Sequence, residues 1–169
     1  MGEQLKSDIS HTFSSLSQKE KDALKNAVIL VTGACGFLGY YFLHFFEQMS
    51  KDLGIKKVIA LDNFMLGKPE WLTPFLENPL FEVKQFNIIS DSIAGISLAK
   101  DADFIIHMAS IASPMFYRKY PIETLDANIW GLRNLLDFYR EKEIKGFLFF
   151  SSSEIYGNPE KNFIPTGEE

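Results

Sequence analysis

The chain has 169 residues, with 17 basic against 22 acidic side chains and a formal net charge of −5. Its length suits one domain, and 46% apolar with 14% aromatic residues supplies a substantial core, which excludes wholesale disorder. The acidic balance argues against nucleic acid as principal partner, no apolar run reaches the roughly 18 to 20 residues of a membrane span, and the single cysteine, Cys35, cannot form an internal disulfide. His11, His44 and His107 lie far apart, so no metal site is expected. The polar start lacks a secretory leader, which makes the cytoplasm the expected location.

Residues 1–26 are polar and rich in Ser and Lys, and Ser17 with Glu20 has the spacing of a capping box. This predicts a leading helical arm, either packed loosely on the domain or gripping a second subunit. Residues 28–31, 57–61, 104–108 and 147–150 are short apolar runs bounded by turn residues or charge, as expected of strands covered on both faces. Residues 81–86 alternate instead, so that strand has a wet face and belongs at an edge. Residues 37–49 are nearly all apolar or aromatic, the pattern of a buried crossover helix. Pro69, Pro74 and Pro79 punctuate a loop-rich stretch, 63–80, in which 71–76 can form one short helix.

In the stretch 122–139, apolar residues recur at 122, 125, 129, 132, 136 and 139, which predicts one apolar helical face. Thr124, Asn128 and Gly131 form a second stripe, small and polar, that lets something approach closely. Strands alternating with helices imply an α/β domain over 27–169. The expected architecture is a doubly wound parallel sheet of Rossmann type with strand order 3-2-1-4-5. The fifth strand is left with an uncovered edge open to pairing.

The first strand runs straight into TGACGFLG at 32–39, so glycines 33, 36 and 39 fall in the turn and at the start of the buried helix. Glycine permits the tight turn and lets backbone approach a pyrophosphate, while the helix start offers free N–H groups and a positive dipole end. Asp62 ends the second strand, placed to accept hydrogen bonds from an adenosine ribose diol. This favours NAD over NADP, whose 2′-phosphate would meet a carboxylate; Lys68, after the Gly67 turn, can reach a phosphate and weakens that preference slightly. Cys35 reads as a small turn residue rather than a catalytic thiol, and His107 as a satisfied core histidine rather than a base. Ser151, Ser152, Ser153 and Glu154 follow the fifth strand and are expected to face the same crevice as the glycine turn.

Together, TGACGFLG at 32–39, LDNF at 61–64 and SSSEIYG at 151–157 resemble the extended short-chain dehydrogenase/reductases, in the NAD-dependent epimerase/dehydratase family acting on nucleotide sugars. HMASIASP at 107–114, Tyr117, and PIETLDAN at 121–128 followed by Gly131, Asn134, Leu135 and Leu136 resemble the UDP-glucuronate decarboxylase branch. The resemblance implies NAD as cofactor, its pyrophosphate cradled by Gly33, Gly36, Phe37 and Leu38. Asp62 and Asn63 would hold the adenosine ribose, with Phe64, Gly67 and Lys68 on the adjoining loop. Asn87 and Ile88 would flank adenine, and Met108, Ala109 and Ser110 would line the path to the nicotinamide. Thr124, Asn128, Ser151 and Ser152 would pack near the cofactor. Ser153 matches the hydroxyl that bonds the sugar's reacting oxygen, Glu154 the acid/base carboxylate, and Tyr117 a residue near the sugar. A UDP-sugar substrate and a homodimer of the full-length protein are implied as well.

Chemistry in this family begins with hydride transfer from sugar C4 to NAD⁺, leaving a 4-keto sugar. In a glucuronate this is a β-keto acid, whose carboxylate departs before the hydride returns. Dehydratases of the 4,6 type and 4-epimerases share the first step, so the cofactor motifs do not separate the three. Asn87 stands where Asp is usual, Ser152 where decarboxylases often have Thr, and Phe116 where they often have Asn. The family's base is a tyrosine in a Tyr-x-x-x-Lys pair. Tyr156 is followed by Lys161, one position too far on, and the pair is expected beyond Glu169. The chain is therefore expected to be the amino-terminal portion of a longer enzyme, inactive alone; a non-catalytic NAD(H)-binding module is the reading from a different class.

Overall fold

The computed structural model describes residues 2–168. The Ser17 side chain accepts from the Glu20 N–H, and the Glu20 carboxylate accepts from the Ser17 N–H at 2.7 Å, so the capping box closes in both directions. It opens helix α2 (Gln18–Leu24), which follows a longer helix, α1 (Glu3–Ser15), where one helix was expected. Leu5 and Ile9 of α1 are buried, and α1 packs against the crossover helix α3 (Phe37–Leu53).

All five residues of β1 (Val28–Thr32) are buried, as are the central residues of β2 (Lys57–Asp62). Between β2 and β3 (Phe81–Gln85), a tight turn at Glu70–Leu72 leads into the short helix α4 (Thr73–Glu77), held down by the buried Leu72 and Phe75. With β4 (Phe104–His107) and β5 (Gly146–Phe149) these strands form one parallel sheet in the order β3-β2-β1-β4-β5, as expected. β3 lies at the edge and is only partly buried. One face buries Ile29, Val31, Val58, Ala60 and Ile106 under Leu43 and Phe46 of α3 and Phe75 of α4. The other buries Val28, Leu30, Ile59, Leu61 and Ile105 beneath Leu135 and Tyr139.

Asp103 ties the starts of three strands together. Its carboxylate accepts from the Val28 N–H at 2.8 Å and pairs with Lys145 at 3.1 Å, while its carbonyl accepts from the Lys145 N–H at 2.7 Å. β5 pairs with β4 alone among the described residues, and Leu148 and Phe149 are 48% and 40% exposed. No helix of the described residues is long and apolar enough to cross a membrane.

After β4 come α5 (Pro114–Lys119), α6 (Pro121–Asp126), a wider π-helical turn at Ala127–Gly131, and α7 (Leu132–Tyr139). Here the expected face is corrected. Ala127, Gly131, Leu135 and Tyr139 are buried, whereas Ile122, Leu125, Ile129 and Leu136 lie outward. Small residues win the inward face because the helix must come close: a Cβ on Gly131 would lie 2.9 Å from Ile88 Cγ2. The wide turn also interrupts the steps of three and four on which the expected face rested.

Candidate functional site

At the carboxyl ends of β1 to β4 lies a cleft of about 770 Å³. Of the expected cofactor residues, Gly33, Gly36, Asp62, Asn63, Gly67, Asn87, Ile88, Met108, Ala109 and Ser110 line it. The glycine turn forms its floor. Gly33 has φ +69°, and a Cβ there would lie 2.8 Å from the Met108 carbonyl and the Ala109 nitrogen, so turn and β4 exit are pressed together backbone to backbone. A Cβ on Gly39 would collide with the Ala34 carbonyl, so α3 can start this close to the turn only with glycine. The side chains of Phe37 and Leu38 are 78% and 40% exposed. What these two residues can offer an anion is backbone N–H groups, which at a helix start have no partner within the helix.

Asp62 organises the turn as well as the cleft. One carboxylate oxygen accepts from the Cys35 N–H at 2.9 Å and the other from the Phe64 N–H at 2.9 Å. Each oxygen keeps a second lone pair for a hydroxyl. The same carboxylate, after burial, acts on Cys35: the thiol is pushed up to about 12, which keeps it protonated and argues against a nucleophile. Asn63 closes the next turn, its Oδ1 accepting from the Met65 N–H. The Lys68 ammonium sits 5.7 Å from the centre of the Phe64 ring, and neither residue lines the cleft.

His107 is buried and pairs through Nδ1 with Thr32 Oγ1 at 2.7 Å, joining the last residues of β4 and β1 directly beneath the cleft. Its ring stacks on Phe149. Burial lowers its pKa to about 4, so it is neutral at pH 7, and Nε2 has no hydrogen-bond partner among the described residues. The expected satisfied histidine is therefore satisfied on one side only.

Several expected site residues lie elsewhere. Thr124 donates to the Tyr120 carbonyl and Asn128 to the Thr124 carbonyl, so both are turned back onto their helix. Tyr117 is 38% exposed on α5, and its neighbour Phe116 lines the cleft in its place. Ser151, Ser152, Ser153 and Glu154 are exposed on the turn after β5 and are absent from the cleft lining, contrary to expectation. That turn is exposed and tied mainly to itself: the Glu154 N–H donates to Ser152 Oγ at 3.2 Å, the Ile155 N–H to the Ser152 carbonyl and the Gly157 N–H to the Glu154 carbonyl. Tyr156 donates to Glu168 at 2.8 Å, which raises its pKa, the opposite of what a phenolic base needs. Met65, Leu66, Ile89 and Asp91 also line the cleft without having been singled out, and so do 111–113 and Glu123, which were quoted only as parts of the motifs at 107–114 and 121–128. They lie on loops or at a helix surface, and no spacing rule marks them.

UDP-glucuronic acid decarboxylase 1 of Arabidopsis thaliana is 32% identical over 136 residues, covering 80% of this chain and 28% of that protein. UDP-glucuronic acid decarboxylase 1 of Xenopus tropicalis is 32% identical over 150 residues, covering 89% of this chain and 32% of that protein. The chain thus spans about a third of the length of these relatives. The fold matches the UDP-N-acetylglucosamine 4-epimerase of Methanobrevibacter ruminantium M1 in complex with UDP-N-acetylmuramic acid, with TM-score 0.65 and 26% identity over 86% of this chain and 43% of that one. It also matches the Bordetella bronchiseptica enzyme WbmF in complex with NAD⁺, with TM-score 0.63 and 20% identity over 78% of this chain and 38% of that one. Residues 29–169 match the NAD dependent epimerase/dehydratase family, and the chain belongs to it.

Proposed function

We propose that this chain is the cofactor-holding portion of an NAD-dependent enzyme that modifies a UDP-sugar, of the UDP-glucuronate decarboxylase type. The observation that carries the reading is one continuous cleft bounded by the glycine turn, the Asp62 carboxylate and the exit of β4. Backbone N–H groups at the start of α3 meet the pyrophosphate, and Asp62 accepts from the ribose diol. The exits of β3 and β4 then hold the two ends of the dinucleotide. When bound, NAD supplies the hydride acceptor and donor; the chain's own residues bind, orient and exclude water.

The decarboxylase assignment rests on the 32% identity to the plant and frog enzymes, and a UDP-sugar on what those relatives are named for. Ser153 and Glu154 serve the sugar once the turn after β5 is covered, and the Tyr-x-x-x-Lys base comes from chain beyond residue 169. The outward stripe of Ile122, Leu125, Ile129 and Leu136 is the face through which the full-length protein forms a homodimer.

Calorimetric titration of this chain with NAD and NADP tests the cofactor reading. NAD binds more tightly, and D62A weakens NAD by tenfold or more, at about 1.5–3 kcal/mol for a hydrogen bond to a charged group, while erasing the preference over NADP. Wild-type protein that binds neither dinucleotide refutes the reading. For the reaction, a protein extended past residue 169 releases CO₂ from UDP-glucuronate; a C4 epimer or a 4-keto-6-deoxy sugar as product assigns it to a sister branch instead.

A further inference from the structure

Asn87 offers the cleft a donor where a carboxylate would offer an acceptor. If the pyrophosphate lies at the exit of β1 and the ribose at Asp62 on the exit of β2, the sheet order puts the base over the next exit, that of β3. There Phe86, Asn87, Ile88 and Ile89 line the cleft. The loop is closed on itself. Asn87 Oδ1 accepts from the Ile89 N–H at 3.0 Å, and the Asn87 carbonyl accepts from the N–H groups of Ser90 and Asp91. The nearby Asp91 carboxylate is drawn inward as well, one oxygen accepting from the Asn87 N–H at 2.8 Å and the other from Ser90 Oγ at 3.2 Å. Among the described residues, no partner is seen for Asn87 Nδ2. It is a half-buried amide donor at the rim of the base site.

At its edge a 6-aminopurine presents an N–H donor on C6 beside the N1 acceptor, whereas a 6-oxopurine presents an acceptor oxygen on C6 beside an N1–H donor. A carboxylate at position 87 facing the C6 substituent would accept from the amino group and repel the oxygen; an amide whose oxygen already accepts from the Ile89 N–H offers its NH₂, which donates to N1 of the one purine or to the C6 oxygen of the other. We propose that Asn87 makes this cleft tolerant of a 6-oxopurine dinucleotide, so that nicotinamide hypoxanthine dinucleotide binds nearly as well as NAD. The proposal rests on the dinucleotide reading above and makes Asn87 its specificity-determining residue.

The test is parallel calorimetric titration of wild-type and N87D protein with NAD and with nicotinamide hypoxanthine dinucleotide. The wild-type dissociation constants are expected to agree within about threefold, and N87D to favour NAD by about tenfold or more, as a carboxylate facing C6 then meets an oxygen in place of the amino N–H. N87D keeps an oxygen for the Ile89 N–H, and a melting curve checks that it folds. If it does not fold, the wild-type ratio alone decides. A wild-type preference for NAD beyond threefold, or the same ratio in both proteins, overturns the proposal and leaves NAD binding standing. Binding of neither compound by wild-type protein overturns both.

Discussion

Two regions share the carboxyl end of one sheet and are built differently. The exits of β1, β2 and β3 are cross-tied: Asp62 holds two backbone N–H groups, Gly33 abuts the β4 exit, and the loop at 87–91 closes on its own side chains. The turn after β5 is exposed throughout 151–158, and its side-chain bonds, Glu154 N–H to Ser152 Oγ and Tyr156 to Glu168, reach only itself and the tail that follows. The lesson is that a dinucleotide site needs little beyond a strand, a turn and a helix start, because backbone amides and one carboxylate suffice. Ser153 and Glu154, proposed above for the sugar, sit on the exposed turn.

The comparison breaks most visibly at Gly33. Alanine there must take up φ +69° and enter the Met108 carbonyl, so G33A is expected to lower NAD affinity about 100-fold or more and to reduce the melting midpoint by roughly 5 °C or more, read by calorimetry and thermal denaturation.

A smaller effect tests the buried pair beneath the cleft. His107 has its pKa lowered to about 4, so between about pH 6.5 and pH 4 the unfolded chain binds the proton that the folded one refuses, and stability falls as the pH is lowered through that window. The loss reaches about 3 kcal/mol at the acid end. Urea titrations across that range are expected to show the slope in wild-type protein and a flatter one in H107F; equal slopes assign the acid sensitivity to another group.

The smallest effect sharpens the contrast from the other side. Ser152→Ala on the exposed turn is expected to change stability by no more than about 0.5 kcal/mol and to leave NAD affinity unchanged. A tenfold loss of NAD affinity would place that turn in the dinucleotide site after all.

What the sequence made legible follows the reach of the interactions. The strand, glycine turn and crossover helix at 28–53 are contiguous, so spacing alone carried them, and the alternation at 81–86 placed β3 at the edge. The capping box at Ser17 and Glu20 is equally local. The face of the helix at 121–139 was not legible, because burial there goes to Ala127 and Gly131, residues chosen for closeness to Ile88 rather than for hydrophobicity. The second task of Asp62, holding the Cys35 and Phe64 amides, needs two segments brought together in space. Asp91 was invisible for the same reason: its value lies in which loop atoms it engages.

The clasp at Asp103 has a consequence for how the sheet can give. Because one residue binds Val28, Lys145 and Gly146, strands 1, 4 and 5 are pinned at their amino ends, like ribs of a fan at the rivet, and any splay opens toward the far rim. At that rim β1 and β4 are held together again by Thr32 and His107, so the freedom that the clasp leaves belongs to the turn beyond β5, far from the carboxylate that limits it.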